Sequence, residues 1–241
     1  MAERPFYSIT IGEKNTWDDF HLMPVGEGRI DFATPELKYE SVSVPGSDGE
    51  LDLTEALTGF PTYKSRKGTL KFRFFDDGKP ARNKHDDLKN YLHGRWMRAI
   101  IDDQPEYYYE GRFTVGDLTW ARKGNWAETE ISYTLDAYKL EVNTSLEDWL
   151  WNPFNFETGV IREYAGISVS GEETVTVTGS RKPTVPRFIV DGTLIMEFNG
   201  ISYALTTGTV TIPQILLIDQ EYEFTFRGSG TVSIDMRAGI L

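Results

Sequence analysis

After Phe60-Pro61 the chain settles into strict alternation, with Leu70, Phe72 and Phe74 on one face and Lys71 and Arg73 on the other. Period two over this length specifies a strand with one face on a core and the other toward water. What precedes it has another texture. Tyr39, Val42 and Val44 form a short β-rich piece that Pro45-Gly46 stops. Ser47-Asp48-Gly49 supplies turn chemistry, with Gly49 free to take a positive φ. Residues 50–57 then read as a compact acidic and apolar loop closed by Gly59. The expected order is strand, long decorated excursion, strand, in place of a tight hairpin. Excursions of this length are partner-binding loops or disordered insertions, and the turn residues here favour order.

Composition supports a β-rich chain. Of the 241 residues 13% are aromatic, and aromatic and β-branched side chains suit half-buried pleated surfaces. The length allows one large or two modest domains. Net charge is −12 and is spread along the chain without a tail. That argues against specific nucleic-acid binding, which needs clustered Lys and Arg facing phosphates. There is no cysteine, so disulfides, thiolate catalysis and zinc ribbons are excluded. Residues 1–5 have no apolar core of a signal peptide, and no apolar run reaches the roughly 18 residues of a membrane span. A soluble protein without membrane insertion is expected.

In chain order, residues 6–11 alternate as a first strand, and Trp17 and Phe20 are expected to be buried beside a turn. The best helix follows Pro80. Asn83 is a candidate N-cap, Asp86 and Asp87 suit the first turn, and Leu88, Tyr91, Leu92 and Trp96 make one stripe. Gly94 falls inside that pattern, at a cost of about 1 kcal/mol. Residues 99–101, 107–115 and 130–138 continue the sheet, and Gly111 suggests a bulge. This gives a first domain over 1–142, a sheet with one helix on it. Residues 143–163 form an aromatic-rich linker in which Trp149, Trp151, Phe154 and Phe156 are expected to contact the other domain or a neighbouring chain. Over 164–241 the texture is purely β. Short strands at 174–178, 187–190, 194–198, 201–205, 210–212, 222–226 and 231–236 are separated by turns, including Asp191-Gly192 and the strong hairpin signal Asn199-Gly200. That reads as a small sandwich.

Catalytic chemistry finds little support. His85 and His93 lie eight apart on the expected helix, and His21 is remote, so surface roles are expected in place of metal ligation. Residues 48–52 resemble a calcium loop only faintly, without its central glycine and final glutamate. Asp18-Asp19, Asp76-Asp77 and Asp102-Asp103 are adjacent pairs, which on a strand point to opposite faces and make no ready acid/base couple. No nucleophile elbow, phosphate loop or dinucleotide fingerprint is present. A non-enzyme with no cofactor and no metal is expected. A carbohydrate-binding module, using aromatics such as Tyr203 and Tyr222, is the alternative.

The run V-P-G-S-D-G-E-L-D-L-T-E-A-L-T-G over 44–59, followed by R-K-G-T-L-K-F-R-F over 66–74, resembles the N-terminal domain of phage distal tail proteins. The W-N-P-F-N-F-E-T-G run at 151–159 and the closing F-R-G-S-G-T-V-S-I-D-M-R-A-G-I-L are similar to the same family. The resemblance implies a mainly β protein: an N-terminal β-rich ring-forming domain with one α-helix, plus a C-terminal galectin-like β-sandwich. The polar His, Asn, Arg and Trp set by which galectins hold sugar is not reproduced. It also implies a homo-hexameric ring at the virion tail tip, assembled in the host bacterial cytoplasm. Its partners would be the tail tube protein, the tail-associated hub protein and a receptor-binding protein, with DNA passing through. A tail-tube-like protein that polymerises further is another reading. Opposite charges suggest the subunit contact: Asp48, Glu50 and Asp52 of the excursion against Lys64, Arg66 and Lys67 of a basic turn, both expected to be exposed.

Overall fold

The computed structural model describes residues 7–26, 30–120, 126–147 and 160–241. The chain divides into two compact units, Met1–Ala137 and Tyr138–Leu241, each with its own apolar core.

The first unit contains β1 (Ile9–Ile11), β2 (Lys14–Asn15), β3 (Leu22–Pro24), β4 (Ser41–Ser43), β5 (Glu50–Asp52) and β6 (Arg66–Phe74). The one helix among the described residues, α1 (Ala81–Leu92), precedes β7 (Trp96–Ile101), β8 (Tyr107–Val115), β9 (Thr119–Trp120) and β10 (Ala127–Leu135). Seven strands pair in the order β2-β1-β7-β8-β10-β6-β3, all antiparallel, and β9 adds to β10. The alternation of β6 holds: Phe72 and Phe74 enter the core, Leu70 packs against it, and Lys71 is exposed. Phe20 is buried as expected, and Trp17 is half-buried.

The helix differs from expectation at both ends. It begins two residues before Asn83, because Pro80 already has a φ of −58° and needs no N–H at a helix start. Asn83 therefore lies inside the first turn, which carries no acidic residue. Gly94, with φ +76°, stands beyond the end and stops the helix, so Trp96 opens β7 instead of extending the stripe. His85 is buried beside Leu88, not on the surface, and its Nε2 lies 2.8 Å from the Gly116 carbonyl oxygen. Gly111 marks no bulge. Its register runs unbroken from Met97 to Leu135, and a side chain there would strike the Thr134 carbonyl and Leu135 Cα. Close backbone approach is the other reason for glycine in a strand.

The second unit holds β11 (Lys139–Glu141), β12 (Ile167–Thr178), β13 (Arg187–Phe198), β14 (Ile201–Thr211), β15 (Glu221–Asp235) and β16 (Gly239–Ile240). β11 pairs with β16, and the four long strands run β12-β15-β13-β14, all antiparallel. Ser145 is buried here, with its hydroxyl 2.8 and 3.0 Å from the carbonyl oxygens of Ile234 and Met236. Where several short strands were expected, there are fewer and longer ones. Asp191-Gly192 is an irregularity within β13, not a turn, and residues 222–236 form essentially one strand.

The long strands fold double. Phe188 stands opposite Ile234 on β15, yet its ring centroid lies 5.6 Å from that of Phe224, ten residues earlier on that strand. A flat strand would separate those positions by roughly 33 Å. Each strand has a glycine near its middle: Gly171, Gly192, Gly208, and Gly228 with Gly230. Gly171 pairs with Gly228, and Gly192 with Gly230. Gly192 has φ +116°, and a Cβ there would sit 2.6 Å from the Ser229 carbonyl oxygen. The glycines thus mark a crease. Across it Phe224 and Phe226 share one core with Val232 and Ile234. The molecule is mainly β, a β-rich sheet unit with one helix followed by a sandwich made from a curled sheet.

Candidate assembly surface

The excursion is itself a hairpin. β4 and β5 pair with Ser41 opposite Asp52, Val42 opposite Leu51 and Ser43 opposite Glu50. This corrects the expected loop at 50–57: glycines at 46 and 49, with φ of +83° and +78°, let the chain reverse within the P-G-S-D-G run. The hairpin continues into a turn where the Asp52 carboxylate accepts the Thr54 N–H at 2.9 Å. Hydrogen bonding from Thr54, first by its side chain and then by its backbone, holds the Asp52 carboxyl below its ordinary pKa. At the root, Leu37 bridges Tyr63, the Lys64 N–H donates to the Glu36 carbonyl, and Lys64 Nζ lies 3.1 Å from Glu36.

No residue from 36 to 65 is buried. Tyr39 is 58% exposed, Leu51 55% and Leu57 99%, with Leu37, Val42, Val44 and Leu53 also exposed. A lone two-stranded hairpin is marginal in water, and exposed apolar side chains at this density make the arm a candidate contact site. Burying what these seven side chains still expose contributes on the order of 7 kcal/mol. Association itself costs about 4–15 kcal/mol. One such contact is therefore close to balance.

Asp48 lies in the exposed hairpin turn, and Glu50 and Asp52 are exposed on β5. Lys67 is exposed on β6. Among the described residues, none of these four enters an ion pair within the chain. Arg66 corrects the expected basic turn. It is 4% exposed because the alternation of Phe72 and Phe74 extends back to it and turns it inward. Its Nε donates to the Ala137 carbonyl and its Nη1 to the Ala33 carbonyl, both at 2.9 Å, and the guanidinium lies over the Tyr109 ring. Nη2 is buried with no hydrogen-bond partner among the described residues. Burial lowers the Arg66 pKa and pushes the Tyr109 hydroxyl up to about 12. The Tyr133 hydroxyl accepts the Ala33 N–H, and Phe32 packs between the rings of Tyr109 and Tyr133. Arg66 thus fixes the strap that leads to the hairpin, and is buried where an exposed position was expected. Trp149, Trp151, Phe154 and Phe156 lie outside the described residues.

Sequence reasoning missed one exposed aromatic cluster. Trp126, half-exposed, stacks under the Arg73 guanidinium at 4.7 Å, and Arg73 pairs with Glu128 at 2.7 Å. Trp120 is exposed one strand away and opposite Ala127. The sequence signal was two tryptophans flanking a turn, which says nothing about burial.

No family model matches the chain, and no curated protein matches it. Among solved structures, it is similar to the crystal structure of the SPP1 Dit (gp 19.1) protein, described as a paradigm of the hub adsorption apparatus in phages infecting Gram-positive bacteria. The match has a TM-score of 0.58 at 15% identity and covers 96% of this chain and 98% of that one. The chain has a Dit-like fold. The likeness includes both units.

Proposed function

We propose that this chain is a structural subunit of a phage tail tip, closing in six copies into a ring between the tail tube protein and a tail-associated hub protein. A receptor-binding protein is a further neighbour. Subunits assemble in the host bacterial cytoplasm and end in the virion tail tip. The first unit forms the ring, and the second, galectin-like unit projects outward. The observation that carries this reading is the hairpin arm, an ordered element with seven exposed apolar side chains that no other described residue covers. The Dit-like fold over nearly the whole chain supports the same reading.

A closed ring of identical copies is head-to-tail and uses two different surfaces per chain. The arm is one. The receiving surface lies on the next copy, with Lys64 and Lys67 facing the carboxylates of Asp48, Glu50 and Asp52. A net charge of −12 suits a ring that DNA must traverse without counterion-release attraction to its wall.

The test is light scattering on a size-exclusion run over a concentration series, with negative-stain images, for the wild type and a Val42→Asp/Leu51→Asp variant. Six-fold rings are expected in images of the wild type and no rings from the variant. A wild type that remains a single chain throughout, or a variant that forms the same rings, overturns the proposal. Long tubes favour the tube-protein reading, and single chains that bind on a glycan array favour the carbohydrate reading.

A further inference from the structure

In the second unit the two terminal strands of the long sheet are β12 and β14, and their edges differ. The edge of β12 is closed at one end by side chains. The Tyr164 hydroxyl accepts the Thr178 N–H at 3.0 Å, and Arg162 donates to the carbonyl oxygens of Thr178 and Gly179 at 3.2 and 3.3 Å. At its middle stand the exposed Glu172 and Glu173. These are the devices by which sheet edges avoid other chains. β14 has none of them. It contains no charge and no proline, and it lies within residues 198–218, a run without one charged residue in a chain that is 26% charged. Among the described residues its outward backbone groups have no partner.

On the open half of the β13–β14 pair the outer face carries a single charge, Glu197, and it is ion-paired. On the outer side of the β13–β14 pair, exposed Ile195 stands opposite Ala204, and Thr193 opposite Thr206; Ser202 stands opposite Glu197, which is held by Arg227 at 2.6 Å. Exposed Ile201 lies at the start of β14. Beyond Thr207 the strand reaches the crease at Gly208, so residues 201–207 are its flat, open half.

We propose that this half of β14 is a self-pairing edge, through which two copies of the chain join antiparallel about a two-fold axis at Ala204. In that register Ile201 stands opposite Thr207 of the second copy, Ser202 opposite Thr206, and Tyr203 opposite Leu205. Every pair is uncharged, and side chains of one face meet side chains of the same face. Ala204 meets its equivalent, so an apolar row runs from Ile195 through both alanines to Ile195 of the second copy. The same operation on β12, about an axis at Glu172 or at Glu173, would set that glutamate against its own equivalent, a like-charge clash that β14 does not meet. The contact is isologous and closed, unlike the head-to-tail ring, so it doubles whatever assembly the first unit forms.

The experiment uses the full chain. Light scattering over a concentration series should show the wild-type mass doubling. Ser202→Lys/Thr206→Lys and Ser202→Glu/Thr206→Glu replace exposed residues and should each keep the wild-type melting temperature while halving the limiting mass. Mixing the two variants should restore the doubling, since each Lys then faces a Glu. A wild type that never doubles, a lysine variant that doubles like the wild type, or a mixture that stays halved overturns the proposal. The ring is scored separately: Val42→Asp/Leu51→Asp should still pass from one chain to two.

Discussion

The hairpins β4–β5 and β13–β14 use similar local chemistry, with turns that pass through positive-φ residues, Gly46 and Gly49 in one and Asn199 and Gly200 in the other. Their surroundings are opposite. β13 lays Phe188, Val190, Leu194, Met196 and Phe198 into a core, whereas no residue of β4 or β5 is buried. Turn chemistry permits a reversal in both, but only burial makes one of them stable by itself. Among the described residues the first hairpin has no core to rest on.

The comparison breaks most sharply in the sandwich. Phe226→Ala removes a fully buried ring from the core that holds β13, and should cost about 3–5 kcal/mol, read by urea unfolding. Loss below about 1 kcal/mol would mean that the hairpin does not depend on that core. Next comes the crease. Gly192→Ala places a Cβ against the Ser229 carbonyl at a φ that side chains avoid, and should cost about 1–3 kcal/mol. A neutral result would show that the strands bend elsewhere.

A smaller effect separates the first unit by pH. Lys84 and the Lys79 N–H hold the Asp77 carboxyl down to about 2, with Lys84 Nζ at 2.8 Å. Since its folded pKa lies below the ordinary value of about 3.9, the stabilisation is present above pH 4 or so and is lost as pH falls toward 2. Asp77→Asn should flatten the acid limb of the melting-temperature profile in that window. An unchanged limb would remove the pair from acid stability. The smallest effect on folding belongs to the arm: Leu51→Asp should shift single-chain stability by less than about 0.5 kcal/mol. By hydrogen exchange, the β4–β5 amides should be unprotected in single chains and protected in the assembled ring.

Several features were legible because they are local. The alternation of β6, the Asn199-Gly200 reversal and the burial of Phe20 need only neighbouring residues. Others failed for want of long-range information. Gly192 and Gly230 looked like strand ends because glycine usually punctuates, and nothing local says that these two distant glycines will pair across strands. Arg66 looked like part of a charged turn. Its parity with Phe72 was readable, but the carbonyls of Ala33 and Ala137 that accept its hydrogen bonds come from distant segments. The assembly residues were legible as a stretch and not as a set: the carboxylates at 48, 50 and 52 and Lys67 are exposed, while Arg66 is not.

By itself the sequence determined a mainly β chain with one helix, because period-two alternation, aromatic content and turn residues act over a few positions. Tertiary structure decided that the excursion is a hairpin without a buried residue and that four long strands fold double along a line of glycines. It also decided that one edge of that sheet is guarded and the other open. Each of these depends on which distant residues meet, and the free energy of burial is settled only by that meeting.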